Sequence, residues 1–180
     1  MLKNTPTDYG LIAIALHWLV TLVVISLFAL GLWMTGLDYY DAWYQRAPDL
    51  HKSIGVLLFI IVAFRLAWRW WNPLPRPEPA HAAWERRLAG LAHALLYLLL
   101  FAVMIAGYLI STADGRPIEV FGLFSVPATL SGLENQEDIA GEIHEILAYL
   151  LIGLSVLHAA AALKHHFIDR DRTLKRMLGR

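Results

Sequence analysis

Long runs without a charged residue constrain this chain most. Asp, Glu, Lys and Arg are missing from three stretches, residues 9–37, 88–113 and 146–163, which are 29, 26 and 18 residues long. A helix that crosses a bilayer needs about 20 apolar residues, with a range of about 17–25. A fourth stretch, residues 53–64, has only 12 residues and spans only if the flanking Lys and Arg side chains extend toward water. The runs therefore predict four membrane-spanning helices.

These runs predict an all-α fold, an integral membrane four-helix bundle that forms a single domain over residues 1–180. We expect the helices at about residues 11–35, 51–71, 86–111 and 139–167. The composition agrees, because 58% of the 180 residues are hydrophobic and 17% are charged, whereas soluble domains are about 45–50% apolar and about 25% charged. A small soluble core cannot cover so much apolar surface, so a water-soluble enzyme is disfavoured.

The charged residues are distributed unevenly between the two predicted sides. With the N-terminus inside, 12 of the 15 Lys and Arg residues fall on the inner side, and only Arg46, Lys52 and Arg116 fall outside. This excess predicts that both termini are cytoplasmic. Ten of the 15 acidic residues lie on the outer side. The formal net charge is zero, so no nucleic-acid partner is expected.

Five histidines fall inside the predicted spans or at their ends, where ionisable residues are costly and usually functional. Their positions along alternating helices give two depths, an outer level and an inner level. His144 and His158 are 14 residues apart on the fourth helix, about 21 Å and nearly four turns, so they share a face. The outer level holds His51 and His144, and the inner level holds His17, His93 and His158.

Paired imidazoles from different helices can bind one haem iron from both sides, so two levels predict two stacked haems. The chain has no Cys, which excludes iron–sulfur clusters and covalent c-type haem and leaves b-type haem. A single intramembrane His more often makes an interhelical hydrogen bond. A proton relay is an alternative, and zinc is weaker because neither Cys nor carboxylate joins the inner histidines. Depth alone does not choose between His17 and His93.

Two glycines and two arginines are compatible with haem binding, but each also has a simpler explanation. Gly31 and Gly107 follow His17 and His93 by 14 residues each, and glycine there admits either a flat macrocycle or close helix packing. Arg65 and Arg69 are candidate partners for haem propionates, although basic residues at an inner flank need no such role.

The sequence resembles the bacterial cytochrome b561 family over nearly the whole chain. The resemblance is carried by Ala-Leu-His17-Trp18-Leu, by His51 with Gly55, by Leu-Ala-His93-Ala-Leu-Leu-Tyr97, by His144-Glu145, and by Leu157-His158-Ala-Ala-Ala-Ala-Leu-Lys-His165-His166. It implies a di-haem protein of the bacterial inner membrane, closest to the superoxide oxidase type. Such a protein would pass electrons from the periplasmic side to ubiquinone, the donor being superoxide or a periplasmic redox protein.

The resemblance also implies roles for single residues. His51 and His144 match the ligands of the outer haem, and His17 and His158 match those of the inner haem. His93 matches a further histidine of the haem or quinone environment. His165 matches a position near the inner surface where a quinone head group can hydrogen-bond.

The outer surface leaves the electron donor open. Lys52, with Arg46 or Arg116, can form a local positive funnel for an anion such as superoxide, so Lys52 and Arg116 are candidates for the electron entry point. The acidic outer loops equally suit a cationic redox protein.

Two other classes remain as alternatives: a haem-bearing anchor subunit for a periplasmic dehydrogenase or hydrogenase, and a haem-free transporter or proton relay. The oligomeric state stays open.

Overall fold

The computed structural model describes residues 1–78 and 81–180. Four long helices confirm the predicted membrane bundle, and each is long and apolar enough to cross a bilayer. They are α1 (Leu11–Met34), α2 (Arg46–Trp71), α3 (Ala83–Ser111) and α4 (Gln136–Phe167). Two short strands, β1 (Ile118–Val120) and β2 (Phe124–Val126), lie between α3 and α4, and a short helix, α5 (Thr173–Met177), follows α4. Residues 79 and 80, in the proline-rich connector between α2 and α3, lie outside the described part.

Three helices begin before the predicted positions. The helices α2, α3 and α4 start at residues 46, 83 and 136, where the charge-free runs predicted about 51, 86 and 139. Each extra first turn carries at least one acidic residue and extends its helix beyond the charge-free run. The Glu85 side chain accepts a hydrogen bond of 2.9 Å from the Ala82 N–H at the start of α3. Acidic Glu137 and Asp138 in the first turn of α4 interact favourably with the helix dipole.

Each helix packs against the next in sequence, and α1 also meets α4. The ring centroids of Phe28 on α1 and Tyr149 on α4 lie 5.5 Å apart, which closes the bundle. The buried core contains residues from all four helices, namely Val20, Leu27, Leu58, Val62, Leu100, Val103 and Leu151. Large apolar side chains such as Leu22, Leu98 and Leu157 are more than half exposed, as expected for a surface that faces lipid.

A β-hairpin in the long connection between α3 and α4 covers one end of the bundle. Its strands pair antiparallel, with Ile118 opposite Val126. The turn needs positive φ at two central residues, and Phe121 (φ 52°) and Gly122 (φ 68°) provide it. Ser53 on α2 anchors the hairpin, because its hydroxyl donates to the Glu119 carbonyl at 3.3 Å and accepts from the Phe121 N–H at 3.2 Å. We call this end the hairpin side.

Both chain termini and the connector lie at the opposite end, which we call the terminal side. The Asn4 side chain donates to the Pro73 carbonyl at 2.9 Å, which joins the N-terminal tail to the connector. The Trp18 indole N–H donates to the Met177 carbonyl at 2.8 Å, which holds α5 beneath α1. These long-range bonds combine three separate segments into one cap on the bundle.

Candidate functional site

Two histidines face each other near the hairpin side. The ring centroids of His51 on α2 and His144 on α4 lie 6.2 Å apart, with the ring planes at 70°. The His51 ring lies against Gly31 on α1, and the His144 ring lies against Gly107 on α3. A Cβ atom built on Gly31 would be 3.5 Å from Cε1 of His51, and one on Gly107 would be 3.1 Å from Cε1 of His144. Glycine therefore leaves room for the imidazole rings, which is a more specific role than either sequence-based interpretation.

The hydrogen bonds of this pair determine which ring nitrogen is free. Nδ1 of His144 lies 2.8 Å from the Val103 carbonyl oxygen, which can only accept. Nδ1 of His144 therefore carries the proton, and Nε2 of the neutral ring keeps its lone pair. Nδ1 of His51 is buried without a hydrogen-bond partner among the described residues. A buried, unpartnered ring nitrogen normally has a further role or an unseen partner.

Three histidines and an arginine meet at a second level, nearer the terminal side. The ring centroids of His17 on α1 and His158 on α4 lie 6.3 Å apart. His93 on α3 lies closer to His158, with centroids 5.3 Å apart. Arg65 on α2 donates through Nη2 to Nδ1 of His17 at 3.1 Å, and its guanidinium also lies over the Tyr97 ring at 5.3 Å.

Every helix contributes one residue to each level, and the two residues are always 14 positions apart. Fourteen residues rise about 21 Å and complete nearly four turns, so both residues point to the same side. The buried core lies between the levels. The sequence revealed three of these spacings, and the contact between Arg65 and His17 adds the fourth. The four pairs are His17 and Gly31, His51 and Arg65, His93 and Gly107, and His144 and His158.

The ring separations permit both pairs to bind one metal ion each. Imidazole nitrogens bind metal ions at about 2.0–2.1 Å, so two rings on opposite sides of one ion have centroids about 6.3 Å apart. The separations of 6.2 Å for His51 with His144 and 6.3 Å for His17 with His158 agree with this value. The 5.3 Å between His93 and His158 is too short for that arrangement.

A surface cavity of about 700 Å³ lies between the start of α2 and the hairpin. Lys52 and Arg116 both line it, and each of these cations has an acidic partner. Nζ of Lys52 lies 2.8 Å from the Asp49 carboxylate, and Arg116 pairs with Asp114. The hydrogen bond from Arg116 holds the pKa of the Asp114 carboxyl below its ordinary value. The charged residues that line the cavity are Arg46, Lys52, Arg116, Asp49, Asp114 and Glu119.

This cavity is therefore formally neutral, where the sequence suggested a positive funnel. Both pairs are local in sequence, since Asp49 precedes Lys52 by three residues and Asp114 precedes Arg116 by two, so each cation has its counter-charge on its own segment. On the terminal side, Arg69 lies in the last turn of α2. His165 lies near the end of α4, with Nδ1 2.7 Å from the Asp169 carboxylate.

An apolar four-helix bundle with facing histidines at two levels has the architecture and the ligand set of a membrane b-type cytochrome. The chain belongs to the prokaryotic cytochrome b561 family, which matches residues 8–180. It is therefore a bacterial multi-pass membrane protein for electron transfer, and its family implies b-type haem.

Two curated bacterial proteins illustrate the similarity. Cytochrome b561 homolog 2 of Escherichia coli (strain K12) is 56% identical over 177 residues, which cover 98% of this chain and 94% of the relative. A protein described as probable superoxide oxidase CybB, from Yersinia pestis, is 30% identical over 175 residues, which cover 94% of this chain and 95% of the relative.

Proposed function

We propose that this chain binds two b-type haems and transfers electrons from the periplasmic side of the bacterial inner membrane, with superoxide as donor, to ubiquinone. The observation that carries this proposal is the repeated imidazole pair, with separations of 6.2 and 6.3 Å on one set of helices. Haem bound at each pair would supply reversible one-electron chemistry. Membership of a cytochrome family favours this function over a haem-free transporter or proton relay.

The proposed orientation places the terminal side in the cytoplasm. Twelve of the 15 Lys and Arg residues lie toward that side, and short cytoplasmic segments are enriched in these residues. The hairpin side then faces the periplasm, so electrons enter near His51 and leave at the opposite end. The same argument makes the inner membrane the site of the protein.

The hairpin-side pair fits haem without rearranging its hydrogen bonds. Metal-binding histidines usually donate their second ring N–H to a carbonyl or carboxylate, which orients the ring. His144 already does so, through the bond to Val103. His51 offers a buried ring with an unpartnered nitrogen. We therefore assign His51 and His144 as the residues that would hold the periplasmic haem.

The terminal-side pair fits haem if Arg65 changes its partner. Ligation through Nε2 requires the proton of His17 on Nδ1, and that nitrogen then cannot accept from Arg65. Arg65 must turn to another acceptor, and a haem propionate is suitable because guanidinium binds carboxylate in bidentate geometry. We assign His17 and His158 as ligands, Arg65 and Arg69 as propionate partners, and His93 as a neighbour of this haem.

The cavity on the hairpin side supports a small donor. It is lined by Leu50 and Lys52, the sequence neighbours of His51, and by Arg116. A molecule of the size of superoxide can enter a space of about 700 Å³. The similarity to the probable superoxide oxidase of Yersinia pestis adds support.

The charge of the hairpin side favours a second candidate donor, a basic periplasmic redox protein. Ten of the 15 acidic residues lie toward that side, and both Lys52 and Arg116 are paired with carboxylates. An acidic surface attracts a cationic partner and accelerates its association at low ionic strength. In this case the chain would serve as a membrane anchor that relays electrons from a dehydrogenase or hydrogenase.

The proposed acceptor site lies between the terminal-side pair and the cytoplasmic surface. His165 follows His158 by seven residues, about 10 Å along α4. Its Nδ1 faces the carboxylates of Asp169 and Asp171, so Nε2–H is the group from which a quinone head group near the membrane boundary would accept a hydrogen bond.

Haem stoichiometry in the purified protein tests the cofactor part of the proposal. We expect two b-type haems per chain, a reduced b-type absorption spectrum, and loss of one haem in His51→Ala and of the other in His158→Ala. His93→Ala serves as the matched control and should keep both. A chain with one haem, or a His93→Ala variant that loses one while His17→Ala keeps both, would refute the assignment.

The donor is tested with the same preparation. Superoxide generated enzymatically should reduce added ubiquinone in the presence of the protein, and boiled protein should be inactive. If superoxide gives no reduction while a basic periplasmic cytochrome reduces the haems, the anchor function replaces the superoxide function. In that case the haem assignments remain unaffected.

A further inference from the structure

A cluster of two histidines and one carboxylate lies on the terminal side, apart from both histidine pairs. Nε2 of His81 lies 2.7 Å from Oδ2 of Asp171, and Nδ1 of His165 lies 3.2 Å from the same oxygen. These three atoms all lie within 4.8 Å of one another. They come from the connector, from the end of α4 and from the segment that follows α4, so the cluster joins three parts of the cap.

We propose that His81, His165 and Asp171 form a binding site for a divalent transition-metal ion, with Zn²⁺ as the best fit. Two imidazoles and a carboxylate are a common set of protein ligands for zinc, with water in the fourth position. Tetrahedral ligands at about 2.0–2.1 Å from zinc lie about 3.3 Å from one another. The three side chains need only small shifts to reach that spacing.

The surroundings of the cluster suit a metal site. The side chains of His81 and His165 are 16% exposed and that of Asp171 is 7% exposed, so the site is sheltered yet open to a small ion. The second oxygen of Asp171, Oδ1, accepts the Thr173 N–H at 2.8 Å. Such an outer hydrogen bond holds a carboxylate ligand in its orientation.

His165 also keeps a ring nitrogen available to an ion. Its Nδ1 lies 2.7 Å from Asp169 and 3.2 Å from Asp171 but is buried without a hydrogen-bond partner among the described residues. Nε2 of His81 already makes a hydrogen bond of 2.7 Å with Asp171, and a bound ion would replace that bond. The two imidazole rings lie side by side, with centroids 4.3 Å apart.

A neighbouring set, Glu85 with His165 and Asp169, is a weaker candidate. Lys164 lies 2.7 Å from the Asp169 carboxylate and 3.3 Å from Glu85, so an ammonium group already balances both acids. Asp171 has no lysine partner among the described residues. The ligand set with Asp171 is therefore favoured.

Zinc binding by the full-length holoprotein tests the proposal. The protein is purified in detergent without a histidine tag, treated with a chelator, and dialysed against Zn²⁺, and bound metal is counted by mass spectrometry. We expect one Zn²⁺ per chain, and an affinity at least about tenfold weaker in His81→Ala and in Asp171→Asn. His166→Ala, next to His165 but outside the cluster, is the matched control and should bind like the wild type.

Two further measurements keep the outcome clear. The haem absorption spectrum monitors folding, and His81→Gln replaces His81→Ala if the alanine variant loses its haem. Zn²⁺ should raise the melting midpoint of the wild type but not of the His81 variant, because only a folded site binds the ion. A wild type that binds no Zn²⁺, or an Asp171→Asn variant that binds it as tightly as the wild type, overturns the proposal. Loss of binding in Asp169→Asn alone would overturn this ligand set.

Discussion

Replacing Gly107 by alanine would test whether the backbone of α3 positions the imidazole of His144. The new Cβ atom would lie 3.1 Å from Cε1 and 3.2 Å from Nδ1 of that ring. Non-bonded carbon atoms prefer about 3.5–4.0 Å, so the ring must move by about half an ångström. The hydrogen bond of 2.8 Å from His144 to the Val103 carbonyl resists this movement.

The size of the effect follows from these contacts. Overpacking a close-packed site typically costs about 1–3 kcal/mol. If the cost falls on the haem-bound form, haem affinity at the hairpin-side pair falls by about 5-fold to 150-fold, since about 1.4 kcal/mol corresponds to tenfold. Alanine also stabilises a helix by about 1 kcal/mol relative to glycine, so the variant should still fold.

The assay counts haems per chain in purified Gly107→Ala after dilution into haem-free buffer. We expect about one haem to remain and the other to dissociate. Gly55→Ala is the matched control, because no described atom lies within 4 Å of its added Cβ, and it should keep two haems. Gly31→Ala should be intermediate, since its Cβ would meet His51 at an ordinary 3.5 Å. A Gly107→Ala protein with two firmly bound haems and an unchanged spectrum would refute the reasoning.

Three further predictions concern charged residues. Arg65→Gln should weaken terminal-side haem binding by about tenfold, the value of one charge-assisted hydrogen bond, as measured by haem content, while the other haem stays. Asp49→Asn frees Lys52 and should raise superoxide-dependent quinone reduction up to about fivefold at low salt, and the gain should vanish at high salt; an unchanged rate at low salt would contradict the superoxide function. Burial alone would raise the pKa of Asp171, but hydrogen bonds from Thr173 and His81 outweigh it and lower the pKa below 3.8. Its stabilising effect is therefore present above pH 3.8 and lost as the pH falls through the lowered pKa, so the melting midpoint of the wild type should exceed that of Asp171→Asn at pH 7, and the difference should shrink as the pH is lowered below 3.8.

The spans were predictable because the bilayer requires uninterrupted apolar runs, and the charged residues that interrupt them are easy to see. The exact starts were not, because a helix can continue into water through polar turns such as residues 46–50. The hairpin had one local signal, Gly122 between the apolar residues Val120 and Phe124. Its three-residue strands were too short to show alternation.

Histidine positions were predictable to the level of depth, since a helix converts residue number into height. The hydrogen-bond and ion-pair partners of the histidines were not. Arg65 bonds to His17 across 48 positions, and His81 contacts Asp171 across 90. Contacts of this kind depend on how helices rotate about their axes and on where a connector folds back, and neither is encoded in a local pattern.

The spacing of 14 residues on all four helices restricts which changes in length the protein can tolerate. One residue inserted between His17 and Gly31 would turn the rest of α1 by about 100° and raise it by about 1.5 Å. Gly31 would then leave His51, and a side chain would take its place. Insertions in the loops leave both levels intact. Functional variants of this bundle should therefore differ in length only in their loops and tails. The number of residues between the two levels should be the same on all four helices.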